Sequence, residues 1–215
     1  MNKFHSKGQL SVLIVCLVLI VDQIIKVWVK THMFLYQSIH VTDWFQILFT
    51  ENNGMAFGME IIEKLFLTSF RIAVVCVIIW YITKLIRIGS RTGLIVCISL
   101  VVAGALGNII DCVFYGQIFT QSTQTQLAEI VPIGSGYGKW FYGLVVDMFY
   151  FPIIDTHWPL WMPFVGGQHF VFFSPIFNFA DASISCGIIA LLLFYAKSFS
   201  QSIQTLECQM KKKKK

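Results

Sequence analysis

Four stretches of this chain are apolar over about the twenty residues that a bilayer's hydrocarbon core demands. The first covers about Leu10 to Val29, the second Leu65 to Ile86, the third Gly93 to Tyr115 and the fourth Pro175 to Phe194. A segment in hydrocarbon must satisfy its own backbone donors and acceptors, so each stretch is predicted as a membrane-spanning helix. Composition agrees: 56% of the 215 residues are hydrophobic and 13% are charged, where a soluble domain carries about 25% charged residues. The expected fold class is an all-α membrane protein, a four-transmembrane-helix bundle. Residues 1–200 form its one unit and residues 201–215 a basic cytoplasmic tail.

The first stretch does not read as a cleaved leader, because Asp22, Gln23 and Lys26 follow its apolar part with no small-x-small site. Basic residues set the orientation. Lys3 and Lys7 precede the first span, Lys84, Arg87 and Arg91 lie between the second and third, and Lys197 follows the fourth. The other loops carry only Lys30, Lys64 and Lys139. Both termini are therefore expected in the cytoplasm, with outer loops at about 31–64 and 116–174.

Alternation in IHVTDWFQILF, from Ile39 to Phe49, predicts a short strand pair. The bundle thus gains a small extracytoplasmic β-containing domain. QSTQTQ at Gln121–Gln126 and GSGYG at Gly134–Gly138 read as flexible surface insertion. The prolines of FYFPIIDTHWPLWMPF, Phe149 to Phe164, preclude a regular helix there, and Trp158 and Trp161 suit the headgroup zone. That segment is expected to lie on the membrane surface.

The net charge of +5 owes much to the run Lys211–Lys215, which reads as a solvated, disordered tail able to touch anionic lipid. No basic face accompanies it, so no nucleic-acid partner is expected. The six cysteines show no CxxC or Cys/His metal spacing and read as small buried residues.

Polar residues inside spans carry the functional signal, since ionisable groups there are costly and face the bundle interior. Asp22 and Lys26 are four apart on the first helix and can pair. Asn108 and Asp111 lie near the outer end of the third span, and Asn178 and Asp181 near the outer beginning of the fourth. At 1.5 Å rise per residue, Asp181 sits roughly 5–10 Å below the outer boundary. Asp147 lies in an apolar outer-loop stretch, GLVVDMF. Two carboxyls at one depth cannot both ionise cheaply, so one keeps its proton. Such a pair can activate water and protonate a leaving amine without a metal or another nucleophile. No GxSxG occurs, and Asp155, His157 and His169 match no standard metal spacing. No metal or cofactor is expected. The alternative roles are helix-to-helix hydrogen bonding, a proton relay in a small transporter, and a non-catalytic assembly factor.

At these residues the sequence resembles bacterial lipoprotein signal peptidase (signal peptidase II). DQIIK at Asp22–Lys26, NNGMAF at Asn52–Phe57, GNIID at Gly107–Asp111, GLVVD at Gly143–Asp147 and FNFAD at Phe177–Asp181 are similar to that family's five motifs, in order. The resemblance implies Asp147 and Asp181 as the catalytic pair. It implies Asn52, Gly54, Asn108, Asp111 and Asn178 as site-shaping residues, with Asp22 and Lys26 supporting them. It also implies a prolipoprotein substrate cut before a cysteine that carries diacylglycerol. The setting would be the bacterial inner membrane, with the active site at its outer face, membrane lipids as partners and a monomeric enzyme. Two departures stand out. The family has Arg after its third-helix aspartate, where this chain has Cys112. Asp111 then takes its cation from Lys26 or Arg71, or is protonated. Roughly 25 extra residues also separate the third-helix motif from GLVVD.

Overall fold

The computed structural model describes residues 3–52 and 61–213. Among the described residues, four helices are long and apolar enough to cross a membrane: Ser6–His32, Lys64–Arg87, Thr92–Ile118 and Phe179–Gln209. The third is the axis of the bundle, with 56% of its most apolar window buried, against 17% for each of the others. The others turn Leu13, Ile24, Phe66, Val77, Leu192 and Leu193 outward, as helices facing lipid do. Small residues let helices approach within such a bundle. Gly107 is an instance, since a Cβ there would meet Asp22 Oδ2 at 2.7 Å.

One end of the bundle is tied by apolar packing of Ile82, Leu85, Leu94, Ile95, Ile98 and Val102. Lys7 Nζ reaches the Gly89 and Ser90 carbonyls there, so the N-terminal region meets the loop between the second and third helices. At the other end sits an antiparallel sheet of order β1-β2-β3-β6: β1 Ser38–Thr42, β2 Phe45–Asn52, β3 Val145–Tyr150 and β6 Ile176–Phe177. Val29 of the first helix and Met33 just after it, Tyr115 of the third and Phe119 just after its end, and Phe49, Val146 and Met148 of the strands form the core that joins sheet to helices. A separate hairpin pairs β4 Ile154–His157 with β5 His169–Phe172.

Five sequence expectations need correction. Cys16, Cys76, Cys186 and Cys208 are exposed rather than buried, and only Cys97 and Cys112 are inside. The fourth helix starts at Phe179 rather than Pro175, because Ile176–Phe177 pairs with β3 and Asn178 caps the helix. The helix runs on to Lys213, so Lys211–Lys213 of the lysine run are helical rather than disordered. Residues 201–213 have no Gly or Pro, and Ser202 hydrogen-bonds Tyr81 at 2.7 Å. Lys30 belongs to the first helix and Lys64 to the second, and both are buried, not loop charges. The Gln/Thr/Ser and Gly patches are packed: Ser122 is buried against Lys30 and Glu51, and Gly138 N donates to Gly116 O at 2.8 Å.

Candidate active site

The site forms where three helices meet the sheet, and its centre is Lys26. This side chain is fully buried. Its ammonium lies 3.0 Å from Asp22 Oδ2, one turn earlier, and 2.8 Å from Asp111 Oδ2 on the third helix. A third bond runs to Asn108 Oδ1 at 2.8 Å. Buried charges persist only when paired and hydrogen-bonded, and each member of this triad is. Asp22 also accepts from the Ala180 backbone N–H at 2.9 Å, and Asp111 from the Val146 N–H at 3.3 Å. The triad therefore fixes the start of the fourth helix and the strand that carries Asp147.

Local sequence allows this convergence. The third helix widens into a π-turn over Asp111–Tyr115, a feature frequent at functional sites. Gly143 then brings the chain back against it: its N–H donates to Cys112 O at 2.8 Å, and a Cβ at Gly143 would collide with the Asp111 carbonyl. Only glycine permits that approach, and it leads β3 to place Asp147 opposite Thr50, with Asn52 opposite Val145.

From this platform two amides orient two carboxylates. Asn108 Oδ1 is taken by Lys26 and by Asn178 Nδ2, so Asn108 Nδ2 points to Asp181 Oδ1 at 2.8 Å. Asn178 caps the fourth helix: its Oδ1 accepts from the Asp181 N–H at 2.9 Å, and Asp181 Oδ2 accepts from the Asn178 N–H at 3.4 Å. This capping box leaves Asn178 Nδ2 to donate to Asp147 Oδ1 at 2.7 Å. Asp147 is buried and Asp181 half-buried. Burial first, then the negative charge of Asp181, push the Asp147 carboxyl from 3.8 up to about 7. Bonds from Asn178 and Asn52 and the charge of Lys26 act the other way without winning.

Beside Asp181 lies a cavity of about 340 Å³ between the second, third and fourth helices. Phe70, Val74, Ile78, Val101 and Ile184 line it, with Arg71, Asn108 and Asp181 as its polar walls. It is an apolar groove that ends at a carboxylate, the form of pocket that holds an apolar ligand and orients it by a few polar groups.

Comparison with known proteins gives the family. Residues 14–197 match the family model described as signal peptidase (SPase) II. The chain belongs to the signal peptidase II family. Membership makes it a peptidase. A lipoprotein signal peptidase of Porphyromonas gingivalis is 51% identical over 195 residues, covering 90% of this chain and 86% of that protein. Its counterpart in Amoebophilus asiaticus is 35% identical, covering 90% and 80%. A bacterial membrane enzyme solved by the in meso method is 25% identical, with a TM-score of 0.57 over 90% of this chain and 91% of that one.

The residues singled out in the sequence are brought together with two qualifications. Gly54 lies outside the described residues. Asn52 is exposed at the end of β2, though it hydrogen-bonds Asp147. Where the family has Arg, Cys112 is buried with Arg71 Nη1 3.7 Å from its Sγ. Asp111 takes Lys26 as its cation. Asp155, paired with His169, lies in the β4–β5 hairpin, apart from the sheet that carries Asp147.

Sequence reasoning missed Gln23. Its amide donates to Asp22 Oδ2 at 3.2 Å and Asp111 Oδ1 at 3.0 Å, and its oxygen accepts from Tyr115 at 3.0 Å. Its position inside the DQIIK motif was the available signal. A second network was missed as well: Lys30 pairs with Glu51 and donates to Ser122 at 2.9 Å. The signal there was spacing, since Lys30 falls one helical turn beyond Lys26.

Proposed function

We propose that this peptidase is an intramembrane aspartyl endopeptidase that removes the signal peptide from diacylglyceryl-modified prolipoproteins, cutting before the lipid-modified cysteine. The observation that carries the reading is the pairing of Asp147 and Asp181 through Asn108 and Asn178. Asp147, favoured in its acid form, donates a hydrogen bond to the scissile carbonyl. Asp181 takes a proton from water as the water oxygen attacks the carbonyl carbon, and the Asp147 proton passes to the carbonyl oxygen. As the C–N bond breaks, Asp181 returns its proton to the amine, and Asp147 regains one from the hydroxyl that collapses to a carbonyl. Asn52, Asn108, Asp111 and Asn178 shape the site, Asp22 and Lys26 support it, and Gly54 belongs to the same set by its motif.

The groove of about 340 Å³ supports lateral entry of an apolar signal segment, so the substrate need not leave lipid. The positive-inside bias supports an inner-membrane enzyme with cytoplasmic termini and an outward-facing dyad. Lys7, Gly89 and Ser90 gather at the bundle end away from the sheet, in keeping with this reading. Residues 1–200 act as one protease unit, followed by the basic segment 201–215, and the enzyme works as a monomer among membrane lipids.

The test is cleavage of a lipid-modified prolipoprotein by purified protein in detergent. Asp181→Asn should lower the rate at least about a hundredfold, the minimum for a lost positioned acid or base. The Asp147→Asn/Asp181→Asn double variant should be scarcely worse, because the two act as a unit. Cleavage at the wild-type rate by folded Asp181→Asn would refute the aspartyl mechanism.

A further inference from the structure

Between β3 and β6 the chain leaves the sheet, runs out along β4, turns through residues 158–168 and returns along β5. The turn reads WPLWMPFVGGQ and contains no charged residue. Its large apolar side chains face away from the protein: Leu160 is 89% exposed, Trp161 79% and Phe164 99%. Exposed apolar clusters of this kind mark an interaction surface. Their outward pose is built in. Gly167 N donates to Trp158 O, Trp158 N to Gln168 O, Gly166 N to Met162 O and Met162 N to Pro159 O, all between 2.9 and 3.0 Å. A Cβ at Gly166 would meet the Leu160 and Met162 carbonyls at 2.7 and 2.8 Å, so the turn closes this tightly only with glycine there. Backbone groups bonded within the turn have no need of water, which is the condition for entering a lipid interface.

The root of the hairpin is held in place. Phe151 stacks on Phe45 at 4.7 Å and on Phe177 at 5.6 Å between ring centroids. Phe177 lies two residues before the helix Phe179–Gln209, which spans the membrane. The root of the hairpin is therefore tethered beside the start of a helix apolar enough to cross the membrane. Tryptophan prefers this zone, and an uncharged tip meets no charge-burial cost on entering it.

We propose that the β4–β5 hairpin is a membrane-dipping anchor whose tip, Leu160, Trp161 and Phe164, seats in the outer-leaflet interface beside the dyad. The choice of outer leaflet rests on the orientation given above. Seated there, the hairpin steadies β3 and β6, which carry Asp147 and lead into Asp181, at the depth where a lipid-modified cysteine is held.

The experiment is fluorescence quenching in phosphatidylcholine/phosphatidylglycerol vesicles containing the full chain, with the Trp161 signal taken as wild type minus Trp161→Phe. Lipid brominated near the top of its acyl chains should remove most of that difference signal, and aqueous acrylamide should leave most of it. Quenching by acrylamide but not by bromolipid places the tip in water and overturns the proposal. Resistance to both places it against protein and overturns it too. Phe164→Trp in the Trp161→Phe background gives an independent reporter if the first pair differs in folding. Cleavage is measured on the same vesicles. Absent cleavage with bromolipid quenching would sink the proposed function and leave the anchor standing, whereas cleavage without such quenching does the reverse.

Discussion

Asp147→Asn should stabilise the protein while abolishing its activity, and the gain should appear only as pH rises. Folding carries the Asp147 carboxyl from 3.8 to about 7 at a side chain that is 4% exposed. At about 1.4 kcal/mol per decade of affinity, the folded state is penalised by on the order of 4 kcal/mol once the group ionises. The folded carboxyl holds its proton more tightly than the unfolded one, so unfolding between about pH 4 and 7 releases a proton. The contribution to stability is complete below about pH 4 and is lost as pH rises through about 7. Asparagine has no proton to release, and its Oδ1 can still accept from Asn178 Nδ2. The variant should match wild type near pH 4 and exceed it above pH 7, by a melting temperature on the order of 10 °C for a chain of this size. The assay is thermal unfolding in detergent from pH 4 to 8.5, read by a maleimide dye that reacts with the buried Cys97 and Cys112 as they open, with the exposed Cys16, Cys76, Cys186 and Cys208 replaced by serine in both proteins. Taking the difference between the two proteins removes every other titration they share. Parallel pH profiles would refute the assignment of Asp147 as a carboxyl held protonated by burial beside Asp181.

Lys26→Met leaves Asp22 and Asp111 buried without their cation and should cost about 3–5 kcal/mol, lowering the melting temperature and cleavage together. Adding Asp22→Asn and Asp111→Asn should recover much of the melting temperature, and no recovery would mean that Lys26 acts through packing alone. Cys112→Ala should keep near-normal cleavage, since the cation of Asp111 is Lys26, and a severe loss at normal protein levels would show that the Arg71 contact to its sulfur matters to the site. A reporter active only outside the cytoplasm should work at Ser135 and fail at Gly89, and the reverse pattern would invert the orientation.

The helices were legible because hydrocarbon imposes length and apolarity on each span separately, a constraint local in sequence. The β1–β2 hairpin was legible for a similar reason, through alternation from Ile39 to Phe49. The start of the fourth helix was not. Pro175 to Phe177 is as apolar as a span, and only pairing with Tyr150 and Phe149 makes Ile176–Phe177 a strand. The insertion after the third helix misled for the same reason. Its polar, glycine-rich composition suits a solvated loop, yet Ser122 fills a hydrogen-bonding position opposite Lys30 that no local window displays. Site residues were visible as polar exceptions in apolar spans. The way they orient each other was not, because it depends on which partners the Oδ1 and Nδ2 atoms of Asn108 and Asn178 find.

That orientation divides the site into two layers with different electrostatic duties. Lys26, Asp22, Asp111 and Gln23 form a buried layer whose members answer one another, so its charges are held without water. Asp147 and Asp181 form the second layer, where Asn108 and Asn178 supply one amide bond to each carboxylate and, among the described residues, no salt bridge to either is seen. A cation bridging the pair would hold both aspartates ionised and leave neither with a proton to give. Neutral amides fix both side chains yet let burial raise the Asp147 carboxyl to about 7. Lys26 reaches the second layer through Asn108 Oδ1, to which it donates at 2.8 Å. In that position its charge sets which way the amide faces, and in the proposed mechanism its proton stays outside the exchange between the two aspartates.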